Sequence, residues 1–425
     1  MSVILICIHK FNLDKKPVQS LIMHHRILVI SHASFENAYG ATTSIREHYK
    51  ALEPLESLQF IHVSKTSIKN LLLSRYVQHE IFDSSFSVCS QSSNIEKILP
   101  AILPWSDNYE ERQICRVLSL RYIRKLISKL VWLAYSKKII SLIDFYQPNL
   151  IHLNSLVLLD LVPLIQKFRP NIPIISHVRE VLDENLCEKD KRFIQHLDAL
   201  IPIDCATEHR LKVLVPEYPS NQIYRVQNPF RALPFDESLT SLFPESRHIF
   251  AILGQITSSK GVDFVCECFH QADLDNATLM IFGNDKHSYA LSLKKYWSSL
   301  NEQIVWVGHH DYLFEKGVYN RIDVVIRGDL SFRTGRTVYE GLFSGSYVII
   351  PGSNSELLTD TDLLSFSNKV EMYQSRNKKS LIKTLKATQI KLKDDQTNLS
   401  SRDIDNLSNY EIYRERIRLI YDQFI

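Results

Sequence analysis

The stretch SFRTGRTVYEGLFSG, residues 331–345, sets charged and small residues at the start of an apolar helical run. Gly335 and Thr337 suit a tight turn into a helix, and Gly345 suits its end. The backbone N–H groups of Gly335, Arg336 and Thr337 would then point out of the helix N-terminus, where geometry and dipole favour an anion. Arg333 and Arg336 could grip a phosphate or carboxylate bidentately, or serve only in surface ion pairs. Glu340 lies one turn further in, on an otherwise apolar face. Burying a carboxylate is costly unless something binds it, and the hydroxyls of a ribose are suitable donors to it.

Three other stretches carry chemistry-bearing residues at the ends of apolar runs. In LGQITSSKGVDF (253–264), a strand ends at Gly254-Gln255, and Lys260-Gly261 opens a helix. A lysine there meets a diphosphate as a point charge, or is simply solvated; the strand–loop–helix frame favours the first. In PIISHVREVLDE (173–184), His177 ends a buried strand and Arg179 and Glu180 follow at once. Such a histidine is either a satisfied core residue or a group near ligand, where titration near neutral pH suits proton transfer or polar positioning. The charges beside it favour the second. Gly40 is the only one of 11 glycines before residue 254. It either lets backbone approach a ligand ahead of a helix N-terminus or makes an ordinary left-handed turn.

These residues need a frame, and the chain supplies a repeating one. In the first half, the apolar runs RILVIS, LQFIHV, NLIHLN, PIISHV and ALIPI alternate with helical patterns, including one near 41–52. In the second, HIFAIL, TLMIFG, QIVWVG, DVVIRG and YVIIP alternate with helices expected near 260–271, 285–299, 312–320 and 336–344. Short buried strands alternating with helices predict parallel sheets covered on both faces. The fold class expected is α/β, with two doubly wound Rossmann-like domains facing each other across a cleft lined by strand C-termini. The domain boundaries expected are an extension over 1–24, a first domain over 25–230, a linker over 231–247 rich in Pro, Ser and acids, and a second domain over 248–404. A terminal helix over 405–425 is expected to pack back on the first domain.

The bulk numbers narrow the class. The 425 residues suit two domains rather than one core. Fifty basic residues against 47 acidic ones leave a net charge of +3, which argues for no nucleic-acid partner. Seven scattered cysteines, with no C-x-x-C pair, point to a reducing compartment and no structural zinc. The opening MSVILICIHK lacks a basic segment and a cleavage site, and its apolar run is well short of the roughly 20 residues that span a bilayer. Met23 is an alternative start. Residues 111–140 carry eight Lys or Arg and one acid among Leu, Ile, Val and Trp. This basic amphipathic pattern suits an anionic membrane surface, although the pattern alone slightly favours a long surface helix with a solvated basic face. The expected location is cytoplasmic, with 111–140 as a peripheral contact on the inner face of the cell membrane.

The order Gly40-Ala41-Thr42, His177, G-Q-x-x-x-x-K-G (254–261) and G-R-T-x-x-E-x-x-x-x-G (335–345), closed by a late helix, resembles the GT-B glycosyltransferases of the large retaining group called family 4. The resemblance runs from about residue 26 to the end, and suggests the bacterial surface-polysaccharide type. It implies a nucleotide-diphosphate sugar donor on the second domain and a glycan or lipid-linked acceptor on the first. It implies that Lys260 holds the diphosphate, Glu340 the ribose, and the amides of Gly335 to Thr337 the sugar and phosphate. Gly254, Gln255 and Arg333 fall on the donor side, Gly308 and His309 beside the base, and Gly40 near the diphosphate from the other domain. His177 falls near the transferred sugar, with Arg179 and Glu180 on the acceptor side. Such enzymes retain anomeric configuration and need no metal and no cofactor beyond the nucleotide-sugar substrate. One departure stands out. The group commonly has a second glutamate eight positions before the one matching Glu340, and this chain has Phe332 there, with Asp329 and Arg333 nearby. Arg327 also replaces a residue that is usually small. A degenerate GT-B protein acting as a binding or partner subunit is the alternative that Phe332 favours.

Overall fold

The computed structural model describes residues 25–31, 40–53, 55, 57–65, 77–82, 136–180, 182, 186–230, 234–244, 248–310, 313, 316–330, 332, 334–353, 355–356, 360–394 and 409–425. The chain divides into two compact units. The first holds the chain up to Pro202, Leu211–Tyr224 and Arg416–Ile425; the second holds Ile203–Arg210 and Arg225–Glu415.

The first unit is built on six strands: β1 (His25–Ser31), β2 (Leu58–Lys65), β3 (Val77–Phe82), β4 (Leu150–Leu153), β5 (Ile174–Val178) and β6 (Ala199–Pro202). Their spatial order is β3-β2-β1-β4-β5-β6. All pair in parallel except β3, which runs antiparallel to β2 at the edge. The helices are α1 (Gly40–Leu52), α2 (136–146), α3 (Val162–Phe168), α4 (Glu188–Ile194) and α5 (Cys205–Leu214), the last shared between the units. Side chains of one phase, among them Leu28, Ile30, Ile61, Val63, Ile151 and Leu153, join Ile139 and Ile143 of α2 and Ile165 of α3 in an apolar core. The opposite phase is less uniform. There Val29 lies level with His62 on one side and His152 on the other.

The second unit holds β7 (His248–Leu253), β8 (Ala277–Phe282), β9 (Ile304–Gly308), β10 (Val324–Ile326), β11 (Tyr347–Pro351) and β12 (Val370–Tyr373). They are all parallel, in the order β12-β11-β10-β7-β8-β9. The helices are α6 (Val262–Ala272), α7 (Ser288–Leu300), α8 (Arg336–Phe343), α9 (Thr361–Leu364), α10 (Lys378–Asp394) and α11 (Tyr410–Tyr421), whose second half belongs to the first unit. Alternate residues of these strands feed two separate cores: Phe250, Leu279, Ile281 and Ile349 on one face, Ala251, Met280, Val348 and Ile350 on the other. Both faces are dry, which is why the strands read as unbroken apolar runs.

Two details differ from the sequence expectation. The helix expected over 312–320 is, among the described residues, only a 3-10 turn at Val318–Arg321. It starts from Gly317 at φ 63°, a left-handed geometry that does not continue an α-helix. The stretch after Phe230 is more than a tether. Asp236 caps a 3-10 turn over Glu237–Leu242, and Leu239 and Phe243 pack on the second unit's core. Residues 1–24 and the basic stretch 111–135 lie outside the described residues. Among the described residues, no helix is long and apolar enough to cross a membrane.

Candidate functional site

In the second unit the strand order reverses between β7 and β10, the point where open α/β sheets bind ligands beyond the strand C-termini. The loop after β7 carries Lys260-Gly261, and the loop after β10 carries Gly328-Asp329. They are pressed together: a Cβ on Gly261 would sit 1.9 Å from the Gly328 carbonyl oxygen. Gly261 also has φ 59°, so a side chain is excluded twice over. This close approach sets three charges side by side. Lys260 Nζ donates to Asp329 Oδ1 at 3.0 Å, and Arg327 Nε donates to Asp329 Oδ2 at 2.6 Å. Arg327 Nη1 also donates to Thr337 Oγ1 at 2.9 Å. Burial works to raise the Asp329 pKa, but the Arg327 and Lys260 charges and hydrogen bonds outweigh it and hold the carboxyl below its ordinary value.

Helix α8 reaches the same place. Gly335 is its N-cap, and a Cβ there would lie 2.4 Å from Arg327 Nη1, so the guanidinium packs directly against the helix start and would have to shift for a larger residue. Glu340, one turn on, is 5 % exposed. Its carboxylate has protein partners: Tyr319 Oη donates to Oε2 at 2.6 Å and Arg336 Nε donates to Oε1 at 2.5 Å. Each oxygen keeps acceptor capacity beyond these bonds. Burial and the Glu340 charge push the Tyr319 pKa well above its ordinary value, so the phenol stays a neutral donor.

The other residues that the resemblance assigned to a donor lie mostly at the ends of β7 and β9. Gly254 is exposed at φ 126°, Gln255 is exposed beside it, and Gly283 N donates to the Gly308 carbonyl at 2.9 Å, tying the ends of β8 and β9. Gly308 faces the Asp285 carboxylate, and His309 is exposed. Phe332 is half-buried on the core that Met372 also joins, and it packs beside Gly352. Arg333 lies outside the described residues.

In the first unit, Gly40 is the first residue of α1, and the loop before it lies outside the described residues. His177 is 1 % exposed on β5. Its Nδ1 is 2.6 Å from His152 Nε2, and the two rings stack at 4.7 Å. His152 Nδ1 is 2.7 Å from Tyr421 Oη, which is 3.3 Å from His48 Nε2. Tyr49 Oη and His62 Nδ1 are 2.9 Å apart in the same layer. Donation along this chain in either direction gives each neutral imidazole in it one N–H. Burial, then the nearby positive charge of Arg179, lowers His152 to about 3; burial alone lowers His62 to about 3. Burial, then Arg179, puts His177 well below its ordinary value. His177 Nε2 lies outside this chain; it is buried, with no hydrogen-bond partner among the described residues. Arg179 and Glu180 are engaged locally. Arg179 Nε donates to both oxygens of Asn154, and Glu180 accepts from Ser155 Oγ and from the backbone N–H of Leu156 and Arg179. They fasten the end of β5 to the end of β4.

Sequence reasoning assigned no part to His48, His62, His152, Tyr421 or Tyr319. A signal for the histidines was present: FIHV, LIHL and ISHV place one histidine at the same phase near the end of three strands. Among the described residues, no group of three or more His, Cys, Asp or Glu is placed to hold a metal ion.

No protein-family profile matches the chain, and no curated protein matches it in sequence. Solved structures do match in shape. Sucrose-phosphate synthase from Thermosynechococcus elongatus superposes with a TM-score of 0.66 at 13 % identity, over 94 % of this chain and 99 % of that one. A glycosyltransferase from Rickettsia africae gives 0.65 at 14 %, over 94 % and 98 %. Anabaena HepE, in complex with UDP and glucose, gives 0.58 at 12 %, over 94 % and 96 %. The fold is thus that of the GT-B glycosyltransferases.

Proposed function

We propose that the chain is a glycosyltransferase that moves a sugar from a nucleotide-diphosphate donor to a glycan or lipid-linked acceptor, with retention and without a metal, in surface-polysaccharide assembly. The observation that carries the reading is the convergence of Lys260, the start of α8 and Glu340 at the switch point of the second sheet. An anion bound there meets a lysine and helix amides, and these positive groups stabilise a departing nucleoside diphosphate most as its charge develops. The acceptor capacity left on Glu340 suits ribose hydroxyls. Anabaena HepE, which shares the fold, binds UDP and glucose, which makes UDP-sugars the first donors to try. His177 is assigned to the sugar or acceptor side through its Nε2. Attachment to anionic membrane is assigned to the basic residues of 111–140 and would weaken with salt; equal sedimentation with neutral vesicles would overturn that part.

The test is turnover. The protein is incubated with UDP-, GDP- and ADP-sugars, and release of nucleoside diphosphate and free or transferred sugar is followed. One donor should be consumed, and Lys260→Ala and Glu340→Ala should each abolish most of the rate. The second reading, a partner subunit without turnover, is favoured by Phe332, whose ring offers no hydrogen bond to a sugar. Nucleotide-sugar binding with no turnover of any donor would select it.

A further inference from the structure

We propose that Arg327 is a second phosphate-binding cation beside Lys260, and that Asp329 is a resident counter-anion with which the diphosphate of the ligand competes. The inference rests on the reading of the second unit as a nucleotide-diphosphate site and adds to it. Lys260 and Arg327 each donate to a different oxygen of one carboxylate. A phosphoryl group presents two oxygens to two cations in the same way. The position is fixed by backbone, because Gly261 and Gly328 leave no room for the two loops to approach further. Arg327 is fixed again by Thr337 and by its contact with Gly335, so its guanidinium lies against the start of α8, where an anion is favoured. Gln255, exposed at the end of β7, is neutral and adds no charge here.

Exposure separates the roles. The Asp329 side chain is 3 % exposed and Arg327 11 %, whereas Lys260 is 34 % exposed on a flexible stem. Lys260 is the arm that can turn from the carboxylate to an arriving diphosphate. Arg327 stays and offers guanidinium donors beyond those used on Asp329 and Thr337. Against one lysine and one arginine, Asp329 leaves a single net positive charge, which limits how strongly the empty site attracts anions. A diphosphate therefore binds against the repulsion of Asp329, and removing that charge strengthens the site.

Inorganic pyrophosphate is the probe, since it reports the anion site whether or not a sugar is transferred. Binding is measured by calorimetry on the full chain, with thermal melting to show that each variant is folded. Arg327→Gln should weaken pyrophosphate and nucleoside diphosphate binding about tenfold or more, the loss expected for a hydrogen bond to a charged group, and should flatten the salt dependence. Arg327→Lys, which keeps the charge and the fold but loses the fork, should recover part of it. Asp329→Asn should tighten binding at least about threefold through the lost repulsion. Unchanged binding in Arg327→Gln, or weaker or unchanged binding in Asp329→Asn, overturns the proposal. If either of these two variants does not fold, the Arg327→Lys result decides: affinity equal to wild type overturns it. The two readings fail separately. If pyrophosphate binds as described but no nucleotide sugar does, the transferase reading fails and the anion site stands. If nucleotide sugars bind through Lys260 and Glu340 but Arg327→Gln is silent, only the present inference fails.

Discussion

Replacing Tyr319 with phenylalanine removes one oxygen from a buried pair and little else. Tyr319 is 2 % exposed and Glu340 5 %, and their hydrogen bond is 2.6 Å long. A hydrogen bond to a charged group contributes about 1.5–3 kcal/mol. Both ends are buried, so water replaces the lost contact poorly, and the full range applies. For a unit of this size each kcal/mol moves the midpoint by about 2–4 °C, which puts the expected fall at about 3–12 °C. Scanning calorimetry reads it, on the transition that nucleotide raises. A control isolates the bond: in a Glu340→Ala background, Tyr319→Phe should cost little more, because the partner is already gone. Nucleotide binding should weaken in Tyr319→Phe, but less than in Glu340→Ala, since Arg336 still orients the carboxylate. A single variant that melts with the wild type, or a full additive loss in the double variant, would refute the view that Tyr319 holds Glu340.

Other expectations follow from the same geometry. Gly261→Ala would put a Cβ 1.9 Å from a backbone oxygen at φ 59°, so thermal melting should show a loss of more than about 2 kcal/mol together with weaker nucleotide binding. The buried histidines set an acid limit on the first unit. Their folded pKa values lie below the unfolded value of 6.5, with His62 and His152 at about 3, so the unfolded state binds more protons between these limits. Stability should be full above pH 6.5 and fall as pH drops, by about 1.4 kcal/mol per pH unit per histidine; urea melts that are flat from pH 7 to 4 would contradict this. Asp360 in the second unit works the other way. Burial raises it to about 6, so its contribution is present below pH 3.8 and is lost as pH rises through 6, and Asp360→Asn should stabilise that unit at pH 8. Tyr421→Phe should break the chain at His152 and shift the ring-nitrogen NMR signals of His152 and His177; unchanged signals would show that the relay is not formed.

Strands buried on both faces were the most legible part of the chain. HIFAIL, ATLMIF and YVIIP are continuous apolar runs because helices cover both sides of the second sheet, and the structure places strands over them. Two of the four edge strands were not legible. Strand β12, VEMY, is four residues long with its middle pair half-buried, too short to announce itself by periodicity. Strand β3 runs antiparallel at an edge, outside the alternating pattern that exposes a doubly wound sheet. Backbone features of the site were readable, since Gly261 marks a place where only glycine fits and Gly335 the start of α8. What could not be read was side-chain partnership. Glu340 was expected to wait for a ligand, yet Tyr319, 21 residues upstream, and Arg336 already hold it. His177 was weighed as one residue, and its neighbours His152 and Tyr421 come from another strand and from the last helix, contacts of long sequence separation that local patterns do not carry.

The second unit is proposed to bind a nucleotide diphosphate through Lys260 and Glu340. Titration calorimetry tests it most directly, using UDP, GDP, ADP and their sugar conjugates on the wild type, Lys260→Ala and Glu340→Ala. One nucleotide series should bind, Lys260→Ala should weaken every diphosphate of that series, and Glu340→Ala should weaken the nucleotides while leaving pyrophosphate nearly unchanged. Failure of the folded wild type to bind any nucleotide, or equal binding in all three proteins, would contradict it.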